Sequence, residues 1–311
     1  MTRTGDIAAA PLDLVIERIR RVYRGWGRGT PVAQMRSDWD AAFQSCAVPV
    51  SQERVSAGGV DGEWIAGSNA PHDKAILYFH GGGFRLGSVS SHRELIARIA
   101  EASGCRVLAI NYRLAPEHRF PAQLEDAIAA YGWMLDQGLR PANIAFAGDS
   151  AGGNLVLATL LGLRERALPL PAAGVLMSPW TDLAATGESY TSRADADPIH
   201  QRPTILALAK NYLGEGGDPR NPLASPLYAD LAGLPPLLIQ VGDRETVLDD
   251  STMFADKARA AGIGVELQVW NGMIHVFQMF GAELPEARRA IASIAEFLNE
   301  HLHMNGDRKP Q

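Results

Sequence analysis

A regular alternation of short apolar runs and helical stretches constrains the fold more than any other feature of the chain. Six runs of five or six largely apolar residues are typical of buried strands. They lie at 74–79, 106–110, 143–147, 173–177, 236–241 and 265–270. Stretches with helical periodicity lie at 91–102, 121–137, 153–167, 251–261 and 285–301. Strand–helix–strand order predicts a mainly parallel sheet with helices on both faces, a doubly wound α/β architecture.

Three segments fall outside this alternation. Residues 11–48 have helical spacing, and residues 54–65 predict a hairpin around Gly58-Gly59. A long stretch rich in Gly and Pro separates Trp180 from Leu234, and a loop of that length in a compact fold is usually functional, often a lid. We therefore predict a catalytic domain over residues 49–311, with a helical cap formed by residues 1–48 and an insertion around 183–232.

Composition excludes several classes of function. The formal net charge is −6 and no long run of Lys and Arg occurs, which argues against a nucleic-acid partner. No uninterrupted apolar stretch of about 18 residues and no secretory signal pattern is present, so we expect a cytoplasmic protein without stable membrane insertion. The two cysteines, Cys46 and Cys105, fit neither a disulfide framework nor a zinc site. We expect both to be reduced thiols and no metal to be bound.

The segment Gly148-Asp-Ser-Ala-Gly152 lies between a predicted strand and a predicted helix. A Gly-x-Ser-x-Gly sequence in that setting forms a sharp turn that raises the serine hydroxyl above the sheet, where small neighbours avoid clashes. The pattern predicts Ser150 as a nucleophile. The simpler alternative is an ordinary turn at the start of a helix.

A serine hydroxyl needs a base to take its proton and an acid to orient that base. Among eight histidines, His275 follows the last predicted strand directly, where this type of fold places its base. Most of the others lie in less suitable contexts: His72 and His92 in polar loop or helix-start segments, and His301 and His303 in the terminal tail. His118 and His200 lie in a loop and in the insertion, with no acid arranged to support them. We predict His275 as the base.

The acid is expected just beyond the strand at 236–241. Asp243 and Glu245 lie close to the strand end, whereas Asp249 and Asp250 fall in the first turn of the next helix, where acids suit the helix dipole. The residues alone leave Asp243 and Glu245 equally suitable.

The transition state of acyl transfer needs backbone N–H donors for its oxyanion. The strand-end segment His80-Gly-Gly-Gly83 supplies amides without side chains, and Ala151, after the predicted nucleophile, supplies another. A phosphate-binding loop is the alternative, but the spacing matches neither the dinucleotide fingerprint nor a P-loop.

Taken together, these motifs resemble the bacterial hormone-sensitive-lipase-like esterases, the family IV lipolytic enzymes of the α/β-hydrolase superfamily. The resemblance runs from about residue 74 to 277 and rests on four segments: His80-Gly-Gly-Gly-Phe84, Asn111-Tyr-Arg-Leu-Ala-Pro-Glu-His-Arg-Phe-Pro121, Gly148-Asp-Ser-Ala-Gly-Gly-Asn154 and the loop of His275.

The resemblance implies roles for particular residues. It assigns Gly82, Gly83 and Ala151 to the oxyanion and His80 to supporting their loop. The family acid opens an Asp-x-Leu-x-Asp-x-Gly pattern, which places Glu245 in the acid position. Glu in place of the usual Asp is a departure, although it is chemically able to hold an imidazole.

The resemblance also implies hydrolysis of small esters of short or medium acyl chains, without metal or organic cofactor. Phe84, Leu86, Trp180 and Leu183 are candidates to line the substrate pocket. Amides, lactones or thioesters are alternative substrates. A noncatalytic small-molecule receptor of the same fold is a further alternative, against which His275 argues. The terminal helix at 285–301 or the last strand is a candidate contact for a homodimer.

Overall fold

The computed structural model describes residues 10–67 and 70–303, and predictions for the first nine and last eight residues fall outside it. Within those ranges the chain forms one eight-stranded sheet with helices around it. The strands are β1 (Ser51–Ala57), β2 (Val60–Ala66), β3 (Ala75–Phe79), β4 (Arg106–Ile110), β5 (Ile144–Asp149), β6 (Ala173–Met177), β7 (Leu237–Gly242) and β8 (Val265–Trp270). The helices are α1 (Pro11–Arg24), α2 (Val32–Phe43), α3 (Val89–Ser103), α4 (Ala122–Asp136), α5 (Ala151–Glu165), α6 (Ser189–Ser192), α7 (Arg202–Leu213), α8 (Leu248–Ala260) and α9 (Pro285–His303).

The sheet has the order β1-β2-β4-β3-β5-β6-β7-β8. β1 and β2 form the predicted hairpin, β2 runs antiparallel to β4, and the strands from β4 to β8 are parallel. The prediction of a mainly parallel α/β sheet is confirmed. Because β3 and β5 are adjacent, the loops after them meet at one edge of the sheet.

Alternate residues of the central strands belong to two separate hydrophobic cores, one on each face of the sheet. In β3, Leu77 and Phe79 belong to the core shared with α4, α5 and α8, whereas Ile76 and Tyr78 belong to the core shared with α3 and α9. This follows from the two-residue period of a strand whose two faces are both covered. Burial of both faces explains why the sequences of these strands are continuous apolar runs.

The prediction that the last strand is buried is wrong. β8 lies at the edge of the sheet with β7 as its one neighbour, and its residues are half-buried or exposed. Val269 is 48% exposed. Whether this edge or α9 forms a homodimer contact stays a prediction.

Helices α1 and α2 pack at the carboxyl end of the sheet. Val15, Ile16 and Ile19 of α1 join Phe43 of α2 in a small core with the segment 273–290. Residues of α1, α2 and α7 surround a common cavity, as expected of a cap. The domain boundaries at 48 and 183–232 stay predictions. In the described part of the chain, no helix is long and apolar enough to cross a bilayer.

Candidate active site

Ser150 lies in the turn between β5 and α5 with φ 53° and ψ −117°. A non-glycine residue with positive φ stores backbone strain, which surrounding structure must hold in place. The Ser150 amide donates to the Met177 carbonyl at 2.8 Å, and its carbonyl accepts from the Trp180 amide at 3.1 Å. The end of β6 therefore fixes the turn from one side.

The two glycines of the motif are required by close backbone approach. A Cβ at Gly148 would lie 2.5 Å from the Gly152 carbonyl oxygen and 2.8 Å from that of Phe79. A Cβ at Gly152 would overlap the Phe79 carbonyl oxygen still more closely. Since β3 and β5 are paired, the turn passes directly over the end of β3, and no side chain fits between them.

His275 joins Ser150 to Glu245. Its Nε2 lies 2.9 Å from the Ser150 Oγ, and its Nδ1 lies 2.7 Å from Glu245 Oε2. These residues are 125 and 30 positions from His275 in the sequence. The predicted serine, histidine and glutamate are thus brought into one hydrogen-bonded line.

Glu245 is fully buried, and both of its carboxylate oxygens accept hydrogen bonds. Oε1 accepts from the Ser178 hydroxyl at 2.8 Å and from the Gly242 amide at 2.5 Å, which leaves Oε2 for His275. Asp243, the other candidate, instead accepts from the Gly272 amide at 2.7 Å. Of the two acids that the sequence left open, Glu245 is the one that contacts His275.

The electrostatics of His275 follow from this contact. Burial opposes charging of its ring, but the adjacent Glu245 carboxylate prevails and raises the pKa of His275 above its ordinary value. Its Nδ1 hydrogen bond also fixes the orientation of the ring, with Nε2 directed at the serine. The arrangement favours a ring that gains a proton readily when Ser150 loses one.

The glycine loop after β3 presents free amides near Ser150. Among the described residues, the amides of Gly82, Gly83 and Ala151 have no hydrogen-bond partner. Gly82 and Gly83 line the same cavity as Ser150. Unpaired N–H groups beside a serine hydroxyl are what an oxyanion site requires.

A buried network behind the loop holds it in place. Asp149 Oδ1 accepts from the Gly81 amide at 3.1 Å and from the Tyr78 hydroxyl at 2.6 Å, while its Oδ2 lies 3.3 Å from His92 Nε2. Burial opposes charging of both partners, but each partner's charge moves the other's pKa toward ionisation, raising that of His92 and lowering that of Asp149. The fold thus pairs His92 with Asp149, a contact that the sequence does not predict.

His80 supports the loop from the other side. Its ring stacks on Tyr112 with centroids 4.3 Å apart, and its carbonyl accepts from the Tyr112 hydroxyl at 2.6 Å. Burial lowers the pKa of His80 to about 3, so the ring is neutral at physiological pH. Its Nδ1 lies 2.8 Å from the Gly81 carbonyl oxygen and donates to it.

A cavity of about 250 Å³ opens over Ser150 and His275. We call it the main cavity. Two of the four predicted pocket residues, Leu86 and Trp180, line it. The prediction is wrong for Phe84 and Leu183, which are fully buried in the core. The Phe84 ring stacks on Tyr212 at 3.9 Å and so faces α7 rather than the main cavity.

Sequence reasoning missed most of the cavity wall. Tyr23, Trp26, Trp39 and Phe43 line it from α1, α2 and the turn between them. The spacing of Trp39 and Phe43 on one face of α2 was the available signal, but it does not distinguish a cavity wall from ordinary core.

His200 was also missed as part of the site. Its ring lies perpendicular to that of His275 with centroids 4.4 Å apart. Asp197 accepts from the backbone amide of His200 at 2.9 Å and from that of Thr246 at 2.8 Å, which ties the insertion to the loop of Glu245. Burial and the neighbouring His275 lower the pKa of His200 to about 4. Asp197 therefore holds the backbone of His200, and in the described residues no carboxylate accepts a hydrogen bond from its ring. Across residues 10–67 and 70–303, no cluster of three or more His, Cys, Asp or Glu is arranged to hold a metal ion.

The fold and this site together define a hydrolase of the α/β class. Residues 76–279 match the family model described as alpha/beta hydrolase fold. The chain is 42% identical over 295 residues to an acetyl-hydrolase of Streptomyces hygroscopicus, covering 94% of this chain and 97% of that protein. It is 40% identical to an esterase of Acinetobacter venetianus, covering 78% and 80%.

Solved structures agree with these matches. An esterase of the bacterial hormone-sensitive lipase family has a TM-score of 0.90 at 47% identity, covering 95% of this chain and all of that one. An esterase/lipase from an uncultured bacterium has a TM-score of 0.88 at 41% identity, covering 95% and 100%. The chain belongs to the α/β-hydrolase fold family and is an enzyme of its esterase type. The resemblance to the hormone-sensitive-lipase-like esterases is confirmed.

Proposed function

We propose that this enzyme hydrolyses carboxylic esters through a covalent acyl-enzyme formed on Ser150. The observation that carries the proposal is His275, whose two ring nitrogens lie 2.9 Å from Ser150 Oγ and 2.7 Å from Glu245 Oε2. A positioned base between a nucleophile and a buried acid is the arrangement that activates a serine hydroxyl.

In the first half-reaction, His275 Nε2 takes the proton of Ser150 while Oγ bonds to the ester carbonyl carbon. The carbonyl oxygen gains negative charge and accepts hydrogen bonds from the amides of Gly82, Gly83 and Ala151. Glu245 stabilises the imidazolium. The tetrahedral intermediate collapses, the alcohol oxygen leaves with the proton from His275, and the acyl group stays on Ser150.

In the second half-reaction, His275 takes a proton from a water molecule, and the resulting hydroxide attacks the acyl carbonyl. The same three amides stabilise the second oxyanion. His275 then returns the proton to Ser150 as the carboxylic acid is released. Atoms and charge balance, because one water is consumed and one acid and one alcohol are formed.

The main cavity supports esters of short or medium acyl chains as the substrates. Its volume of about 250 Å³ lies just below the range of typical ligand pockets, roughly 300–1,000 Å³, and so suits a small substrate. Its wall is formed mostly by apolar and aromatic side chains such as Trp26, Trp39, Leu86 and Trp180. Apolar burial of a small ester arm stabilises its binding without a specific polar contact.

The test is Ser150→Ala, assayed with 4-nitrophenyl butyrate. We expect kcat to fall by about 10³-fold or more, because the nucleophile is lost while the oxyanion site and cavity remain. Ser56→Ala, at an exposed position of β1, is the matched control and should retain wild-type turnover. A stopped-flow burst of 4-nitrophenol in the wild type should report the acyl-enzyme. Retention of full turnover by Ser150→Ala would refute the proposal.

A further inference from the structure

Arg85 differs from three other arginines of the described residues that bury part of their guanidinium. Four arginines, Arg18, Arg85, Arg93 and Arg106, bury an Nε that has no hydrogen-bond partner. In three of them the terminal guanidinium nitrogens have partners. Arg18 and Arg93 pair with glutamates, and Arg106 contacts His72.

Among the described residues, the guanidinium of Arg85 has no hydrogen bond, ion pair or aromatic contact. A buried donor without a partner is costly, and such a group in a native protein calls for a ligand, an ion or water. Of these four arginines, Arg85 is therefore the one whose guanidinium the described residues leave without a partner.

The backbone of Arg85 is held firmly next to the reacting centre. Its amide donates to the Gly82 carbonyl at 3.1 Å, and its carbonyl accepts from Arg36 Nε at 2.9 Å. Arg36 is itself fixed by a salt bridge to Glu117 at 2.8 Å. Arg85 thus follows the oxyanion loop at a fixed distance, and its position is set by α2.

Arg85 lies where two cavities meet. It lines the main cavity over Ser150 together with Thr204 and Leu208 of α7. The same three residues line a second cavity of about 340 Å³. We call this the polar cavity.

The polar cavity is cationic, although the chain as a whole carries a net charge of −6. Its wall contains Arg85, Arg119 and Lys210, with Glu215 as the one acidic residue. Lys210 pairs with Glu215 at 2.9 Å, which leaves the two arginines uncompensated. A positive cavity adjoining an apolar one suits a ligand with an anionic end and an apolar body.

We infer that Arg85 binds a carboxylate carried by the ester substrate, so that the enzyme prefers anionic esters to neutral esters of the same size. This inference rests on the proposed function. The ester carbonyl would lie at Gly82 and Gly83, the apolar arm in the main cavity, and the carboxylate on the guanidinium. Arginine suits this role because its planar fork donates two parallel hydrogen bonds to a carboxylate.

Two matched pairs of esters test the inference, one for each arm of the substrate. Mono-4-nitrophenyl adipate is compared with 4-nitrophenyl hexanoate, and 4-acetoxybenzoate with 4-methylphenyl acetate. The readout for each pair is the ratio of kcat/KM for the anionic ester to that for the neutral ester. Thermal unfolding checks that each variant is folded.

In Arg85→Met we expect this ratio to fall at least tenfold in one of the two pairs, the usual effect of losing a hydrogen bond to a charged group. In Arg85→Lys, which keeps the charge but lacks the planar guanidinium, the ratio should fall less. If Arg85→Met does not fold, Arg85→Gln replaces it. Arg119→Met is the matched control, because it removes an exposed arginine of the polar cavity and should change the ratio less than threefold.

Two results would overturn the inference. One is a change of less than threefold in the ratio of kcat/KM values for the Arg85 variants in both pairs of esters. The other is an equal fall of this ratio in Arg119→Met. It would indicate a general electrostatic attraction by the positive charges of the polar cavity rather than a direct contact with Arg85. Failure of the proposed function is distinguishable, since the wild type would then hydrolyse none of the four esters.

Discussion

The exchange of Glu245 for Gln tests the most specific feature of the site, the acid on which the orientation of His275 depends. In the structure, Oε1 of Glu245 accepts from the Ser178 hydroxyl and the Gly242 amide. A Gln side chain keeps those contacts only with its carbonyl oxygen at that position. Its NH₂ group then faces His275 Nδ1, where the carboxylate oxygen Oε2 lies at 2.7 Å in the native protein.

The consequence is the wrong tautomer of the histidine. Facing an NH₂ donor, Nδ1 must accept, so the ring carries its proton on Nε2 and directs it at Ser150 Oγ. A ring protonated at Nε2 cannot take the serine proton. Turning the amide over does not help, because NH₂ would then face the N–H donor of Gly242. The amide is held in the unproductive orientation by the same contacts that position the acid.

We expect kcat to fall by about 10⁴-fold, or about 5 kcal/mol, as the corresponding exchange of acid for amide (Asp to Asn) does in the serine-protease triad. The assay is steady-state hydrolysis of 4-nitrophenyl butyrate. Asp243→Asn is the matched control, because its oxygen can still accept from Gly272, and it should stay within about threefold of wild type. The reasoning is refuted if Glu245→Gln retains more than a tenth of the turnover, or if Asp243→Asn loses as much.

Two further predictions concern ionisation and stability. Glu245 raises the pKa of His275 above its ordinary value of 6.5, and in the proposed mechanism the neutral ring is the active form. We therefore expect kcat/KM to decline as the pH falls, with a midpoint above 6.5, and a midpoint at or below 6.5 would contradict this. His92→Leu leaves the buried Asp149 carboxylate without its cationic partner and should lower the free energy of unfolding by about 3 kcal/mol in urea denaturation. His118→Leu, at an exposed position, should change it by less than about 0.5 kcal/mol, and a similar small value for His92→Leu would contradict the role of the pair.

Local sequence was sufficient to predict the strands of the sheet and the serine turn. Strands that are covered on both faces appear in the sequence as apolar runs bounded by turn residues. β6, for example, has the same bounds as the apolar run predicted at 173–177. The Gly-x-Ser-x-Gly segment is recognisable locally as five consecutive residues between a strand and a helix, although part of the reason for its glycines is the close approach of the end of β3. The edge position of β8 is not local, and its exposure was mispredicted for that reason.

The choice between the two candidate acids could not be made from local sequence. Asp243 and Glu245 are two residues apart in one loop, and the resemblance to a family, rather than their chemistry, separated them. The turn after β7 directs Asp243 to the Gly272 amide and Glu245 to His275. Which carboxylate reaches the imidazole depends on the path of two loops that are 30 residues apart.

The sequence by itself determined the α/β architecture, the serine turn and the place of His275 directly after the last strand, because each is specified by neighbouring residues or by strand order. Tertiary structure alone decided that Asp149 meets His92, that His200 lies against His275, and that Phe84 and Leu183 turn away from the main cavity. It also brought the aromatic side chains of α1 and α2 over Ser150. These contacts join segments distant in the chain, and their burial depends on how helices and loops pack across the end of the sheet, which residue type and spacing do not encode.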